Sequence, residues 1–363
     1  QYFINLAVLL TLTWYMGTAQ AHASIAEEVS EIKRNVETSV PMPIGAAIEK
    51  LETWLLSEAL QDNSRNGLFV AVGMARIYGI SADYELAQTR FNSILTTPNI
   101  SAEIRAYALI YQVLTHSEAQ VFAPNAELIN EISELLTTYN LTQLKPLFDA
   151  IVADYYQSVS AYDIALTYYE KSLNDAQDAN QLILVSDNLY AIGILHRNLE
   201  NYGKAIEYFE RAIAFDKQID INYSEFLATY GIATTQYRLG NIQKALVLFD
   251  TVLAHPLSSS FYNSEIYRLK AEAHLSLKEL NEAASALNNA RKLYDDSRED
   301  EQTTWRAQLE KTEAYITAAK GNYELAFQQF ETFHDAYLNA KKYEDLELIK
   351  SANLIPVSYT HLT

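Results

Sequence analysis

The chain has 363 residues, 49% of them hydrophobic, with 27 Lys and Arg against 46 Asp and Glu and a formal net charge of -19. So acidic a surface repels phosphate backbones and anionic lipids, which argues against nucleic-acid partners. Cysteine is absent, so neither a disulfide framework nor thiol chemistry is available.

Residues 1–23 stand apart from the rest of the chain. Tyr2 to Trp14 is a mostly apolar run, and Ala21-His22-Ala23 puts small residues where a signal peptidase cuts. This predicts a signal peptide, cleavage after Ala23 and export, to the periplasm in a bacterium. The positive start of such a leader is missing, because the chain begins at Gln1. Membrane association is expected only through an uncleaved anchor or a transmembrane helix beyond this sequence, since the visible run, about 15 residues, is short for a span.

Residues 24–353 form a repeat array. A small residue, a large apolar one four on and a small one three further suit two helices that cross closely. The clearest copy is Ala205, Phe209, Ala212, preceded by Gly193 and Tyr202. Equivalents of Ala205 stand at Ala87, Ala126, Ala165, Ala245, Ala283 and Ala326, at spacings of 39, 39, 40, 40, 38 and 43 residues. Four residues on come Phe91, Asn130, Tyr169, Phe209, Phe249, Leu287 and Phe330, so the copy at Ala126 is the weak one. Such a period predicts a solenoid. Leu239-Gly240-Asn241 and Lys320-Gly321-Asn322 supply the left-handed residue that ends one helix before the next folds back. Second helices are predicted near 84–96, 162–174, 202–216, 242–254, 280–294 and 323–339. A capping helix is predicted from Lys341 to about Asn353, and 354–363 reads as a non-native tail outside the fold.

These residues resemble the tetratricopeptide repeat. That family places a small residue at the eighth position, Ala at the twentieth, an aromatic at the twenty-fourth and Ala at the twenty-seventh, matched here by Gly193, Ala205, Phe209 and Ala212. The family's Trp at the fourth position is replaced by Leu189 or Thr229, its closing Pro is absent, and the period exceeds the usual value of about 34 residues. The resemblance implies an all-α, right-handed superhelical solenoid of about seven helix-turn-helix repeats with a C-terminal capping helix.

Motifs for catalysis or cofactors are missing. No phosphate-cradling glycine pattern, nucleophile elbow, helical metalloprotease motif or paired cysteine motif occurs. His196 and His274 occupy positions the family gives to bulky core residues, so they read as packed or rim histidines. Carboxylates on the helices fall where a solvated face would put them. No enzyme activity, cofactor or metal is expected in this segment.

A binding surface remains. In the family, the second, fifth, ninth, twelfth and thirteenth residues of each first helix face the concave groove. Carried over, the copy at Ala205 offers Tyr190, Arg197 and Asn198 together with Asp187 and Ile194. The copy at Ala245 offers Tyr230, Thr234, Tyr237 and Arg238 together with Leu227, and the copy at Ala283 offers Arg268 and Glu272 together with Glu265, Leu275 and Ser276. Tyr and Arg give large contact area with a directional polar end. The groove centred on Tyr190, Arg197, Tyr230, Tyr237, Arg238 and Arg268 is expected to take an extended or helical peptide bearing at least one carboxylate. The Lys and Asn pattern with which some members hold chaperone C-termini is not reproduced. The expected function is an exported scaffold for a protein or peptide partner. The alternative, also from resemblance, is the periplasmic sensory region of a bacterial membrane signalling protein whose output is a diguanylate cyclase (GGDEF) domain or a histidine kinase.

Overall fold

The computed structural model describes residues 65–352 apart from 81–82, 120, 122–123, 220–222, 256–259 and 296–303. The leader and its cleavage site, the start of the array before residue 65, and the tail at 354–363 lie outside the described residues. Among the described residues no strand occurs, and fourteen α-helices run in seven successive pairs. The pairs are α1 (Arg65–Ile80) with α2 (Tyr84–Leu95), α3 (Ala102–Glu118) with α4 (Asn125–Thr138), α5 (Lys145–Ser158) with α6 (Tyr162–Asp178), and α7 (Leu182–Asn198) with α8 (Tyr202–Gln218). They continue with α9 (Tyr223–Arg238) and α10 (Ile242–Leu253), α11 (Ser260–Ser276) and α12 (Leu280–Asp295), and α13 (Thr304–Ala319) and α14 (Tyr323–Ala352). The six predicted second helices begin at the predicted residues. The last of them runs without a break through the stretch expected to cap the array.

The contacts divide the chain into two units, one of residues 1–195, 215–223 and 347–363, the other of residues 196–214 and 224–346. In the first, α1 packs on α2, α3 on α4 and α5 on α6, while first helices succeed one another from α1 to α3 to α5. In the second, α11 packs on α12 and also lies against α10 and α13. Hairpins stacked on neighbouring hairpins are the repeat architecture that the spacing predicts.

The turns explain why the hairpins recur. Five residues before each of five anchors the backbone enters the left-handed region, at Ser160, Glu200, Gly240, Lys278 and Gly321. At each, two amides bond back to the preceding helix, as Glu200 N to Arg197 O at 3.1 Å and Asn201 N to His196 O at 2.8 Å. This satisfies carbonyls that the helix end would leave open. Only two of the five are glycine, so sequence inspection finds only those two. The other three accept a left-handed cost of about 1–2 kcal/mol each, offset by the closed turn. The next helix then begins in one register: the amides of Ala165, Ala205, Ala245, Ala283 and Ala326 each donate to the carbonyl four residues back at 2.9–3.0 Å.

All seven anchors are buried, five of them fully, with Ala126 at 5% and Ala326 at 7% exposed. In five copies the side chain four residues on is buried as well, and Phe91, Phe209 and Phe249 are completely enclosed. In the second unit Gly231 of α9 sits directly on Phe209. A Cβ there would lie 2.7–2.9 Å from three ring carbons. The weak copy is a genuine hairpin with its second helix differently turned. α4 buries Asn125, Ala126 and Ile132 and leaves Asn130 half exposed. Asn125 is fully buried because its amide completes a polar chain: its Oδ1 accepts from His116 Nδ1 at 3.0 Å and its Nδ2 donates to Ser117 Oγ at 3.2 Å, while His116 Nε2 meets Gln88 Oε1 at 2.8 Å.

Gly231→Ala should cost about 1–3 kcal/mol in urea unfolding, because the enclosed Phe209 ring has nowhere to retreat. An unchanged midpoint would refute the stacking contact. Acidification should act through the polar chain at α4. Burial lowers the His116 pKa from 6.5, with the Asn125 bond opposing the shift. Proton uptake therefore favours the unfolded chain, and the stability contributed by neutral His116 is complete above about pH 6.5 and declines as pH falls toward the lower folded value. Urea midpoints should drop on acidification, and His116→Gln should flatten that slope.

Candidate partner-binding groove

A concavity of about 370 Å³ opens in the second unit, over the first helices α9, α11 and α13 and the end of α7. It gathers seven of the nine residues expected in the groove: Arg197, Tyr230, Thr234, Tyr237, Arg238, Arg268 and Glu272. Asn198 is half-buried on α7 and does not line it. Tyr190, also half-buried, belongs to the first unit. The repeat explains why these seven converge. Residues at a constant offset from successive anchors project from one face of successive first helices, as Tyr230, Arg268 and Lys311 do fifteen residues before Ala245, Ala283 and Ala326.

The floor is a buried ionic network. Arg268 donates from Nε to Glu265 Oε2 at 2.6 Å and from Nη2 to Glu265 Oε1, and its Nη1 reaches Glu272 Oε1 at 2.7 Å. Both carboxylates are largely enclosed, at 11% and 17% side-chain exposure. They thus correct the expectation that helix carboxylates lie on a solvated face: these two are held inside by the guanidinium between them. Burial raises the Glu265 pKa, with Arg268 pulling the other way and Glu272 adding to the rise. For Arg268, burial works against the charge, and the bonds to both carboxylates outweigh it, so its pKa is raised. Glu272 also ties three first helices together, since it accepts from Tyr237 Oη of α9 at 3.2 Å and from Thr312 Oγ1 of α13 at 3.0 Å. Burial and this carboxylate push the Tyr237 phenol up to about 12.

Arg268 is therefore not a spare cation for a ligand, which corrects the role expected of it. Positive charge is available at the rim instead. Arg238 closes α9, exposed, and no described side chain pairs with it. Lys311 of α13 carries its ammonium 5.8 Å from the Tyr315 ring centroid and 6.0 Å from that of Phe333, with no carboxylate partner among the described residues. Arg197 donates to Thr234 Oγ1 at 2.7 Å. Lys311 and Gln308 are groove residues that the sequence reading missed, although the signal was present: the same offsets applied to Ala326 point to both. Leu269 supplies the apolar part of the floor and is buried at 8% exposure.

The histidines expected to be structural behave so. His196 is buried with its ring 5.4 Å from that of Tyr208, and His274 Nδ1 meets Glu279 Oε2 at 2.7 Å. Among the described residues no group of three His, Asp or Glu is placed to hold a metal ion, and no helix is long and apolar enough to cross a membrane.

Paired antiparallel helices stacked in sequence order, with polar side chains aligned along their first helices, define a helical-repeat protein. Residues 150–218, which span α5 to α8, match the tetratricopeptide repeat family. The chain is 24% identical over 324 residues to a TPR repeat-containing protein of Methanocaldococcus jannaschii, covering 84% of this chain and 51% of the other. The chain thus spans about half the length of that curated relative. Among solved structures it is similar to a Rap protein complexed with competence and sporulation factor, at a TM-score of 0.59 and 15% identity over 95% of this chain and 99% of that one. It is also similar to the Rap conjugation gene regulator of plasmid pLS20 in complex with the Phr* peptide, at 0.55 and 13% over 98% and 99%. At these identities the likeness is one of fold.

Removing the cation from the groove floor should be costly. Arg268→Met would leave two enclosed carboxylates without their partner, and should lower unfolding stability by about 3–5 kcal/mol. A variant as stable as the parent would mean that Arg268 is free to serve a ligand.

Proposed function

We propose that this chain is an exported, non-catalytic scaffold that takes an extended, acidic protein or peptide segment in the groove of its second unit. The observation that carries the reading is the positive balance of the groove lining, where Arg197, Arg238, Arg268 and Lys311 stand against Glu265 and Glu272, with the surplus cations at the rim. Arg238 and Lys311 line the concavity without acidic partners among the described residues, in a chain whose overall charge is -19. Local positive potential in an acidic molecule selects for anionic ligands and rejects nucleic acid through the surrounding field. Tyr230 and Tyr237 add contact area with hydroxyl ends suited to a peptide backbone. The Rap structures with bound factor or peptide support the choice of a peptide-like partner.

Export rests on the leader at 1–23 and its Ala21-His22-Ala23 end. The sensory alternative rests on the order of leader and repeat array, and makes the same groove an input site rather than a recruiting site.

A fluorescent ten-residue peptide of alternating Glu and Ser, acetylated and amidated, provides the probe. The double variant Arg197→Ala with Arg238→Ala should weaken its binding more than tenfold in an anisotropy titration, and raised salt should weaken binding to the parent. Equal affinity in parent and variant rejects the groove.

A further inference from the structure

The helix α14 carries a second surface that the groove does not use. On α14, Tyr323, Phe327, Phe330 and Leu338 are 73%, 64%, 40% and 50% exposed, with exposed His334 among them. At about 100° per residue these five fall on one stripe. Ala326 and Phe333 lie toward the buried side of that stripe. On its other edge stand Glu324, Glu331 and Asp335, all exposed, and no described side chain pairs with them. Tyr315 of α13, 43% exposed, extends the apolar area, with its ring 6.4 Å from that of Phe330.

The repeat indicates how such a face is covered. Phe330 holds the position that Phe91, Tyr169, Phe209, Phe249 and Leu287 hold in their copies, and those five are at most 4% exposed. Phe209 is covered by a helix that presents a glycine, Gly231, flat against the ring. Phe330 lacks that cover among the described residues. Contiguous exposed aromatics rimmed on one side by charge mark an interaction surface rather than ordinary solvated helix. The acidic edge then decides between occupants. A second copy of this chain would bring the same three acids and a net charge of -19 against their equals, which like-charge repulsion disfavours.

We propose that the Tyr323–Phe327–Phe330–Leu338 face docks an amphipathic α-helix from another polypeptide, with Gly or Ala at the centre of its apolar side and Lys or Arg along one edge. The apolar stripe supplies the contact area, the small residue lets the backbone approach Phe330 as Gly231 approaches Phe209, and the basic edge meets Glu324, Glu331 and Asp335. This surface meets the groove rim at Tyr315, over whose ring Lys311 lies, and a test at Phe327 reads it separately from the groove.

The test uses the full chain and a designed helical probe of about 18 residues, with Leu and Ala around a central Gly and four Lys on one edge. Two companion probes replace the four Lys by Glu or the central Gly by Trp. Binding of the Lys probe should weaken at least tenfold with Phe327→Glu, a substitution at an exposed site that should leave the helical melt unchanged. It should weaken comparably for the Glu and Trp probes. Equal binding to parent and Phe327→Glu, or equal binding of the Lys and Glu probes, overturns the proposal. So does sedimentation in which the parent self-associates and Phe327→Glu does not, which would assign the face to a second copy. Much tighter probe binding by a chain ending at residue 352 would assign it to the protein's own last residues.

Discussion

A ring lying on a backbone that has no side chain is the contact on which this molecule depends. Phe209 is fully enclosed because Gly231 permits α9 to settle against it, and the close-packed interior gains dispersion contacts only when that approach is complete. The small anchors Ala165, Ala205, Ala245 and Ala283 are likewise enclosed, each with no exposed surface. Because every hairpin needs its neighbour to bury its large residue, order propagates along the chain, and stability is a sum over adjacent pairs rather than the property of one central core.

The same constraint produces the groove. Turns that close in one way, with a left-handed residue five before the anchor, start five of the second helices in one register. Successive first helices therefore present residues of equal offset side by side. Charge is then distributed along that face by local pairing. Glu265 and Glu272 consume Arg268, and Tyr237 and Thr312 complete Glu272. What is left for a ligand is the positive rim, where Lys311 rests against aromatic rings and Arg238 reaches solvent.

Two kinds of surface thus coexist in one unit. The groove is polar, with buried charges satisfied internally, and suits a segment that brings its own carboxylates. The α14 face is apolar with an acidic edge, and suits a helix that brings basic residues. Their opposite chemistry reflects their places in the repeat, since groove positions face open space while the position of Phe330 is built to be covered.

The fold and the starts of six second helices were legible in the sequence because both depend on local properties: the spacing of small and large residues sets which faces can approach, and the start of a second helix is fixed by its turn. The left-handed residues at Ser160, Glu200 and Lys278 escaped notice, as their side chains do not announce a conformation imposed by the closing of the helix end. Seven of the nine groove residues share one concavity because a constant offset in sequence becomes a constant direction in space. Which of them keep their charge available was decided only by tertiary structure. Whether Arg268 meets Glu265 and Glu272, whether Lys311 meets a carboxylate, and whether Phe330 is covered depend on side chains brought together in space. Electrostatic pairing falls off over a few ångströms, a scale that repeat spacing along one chain does not resolve.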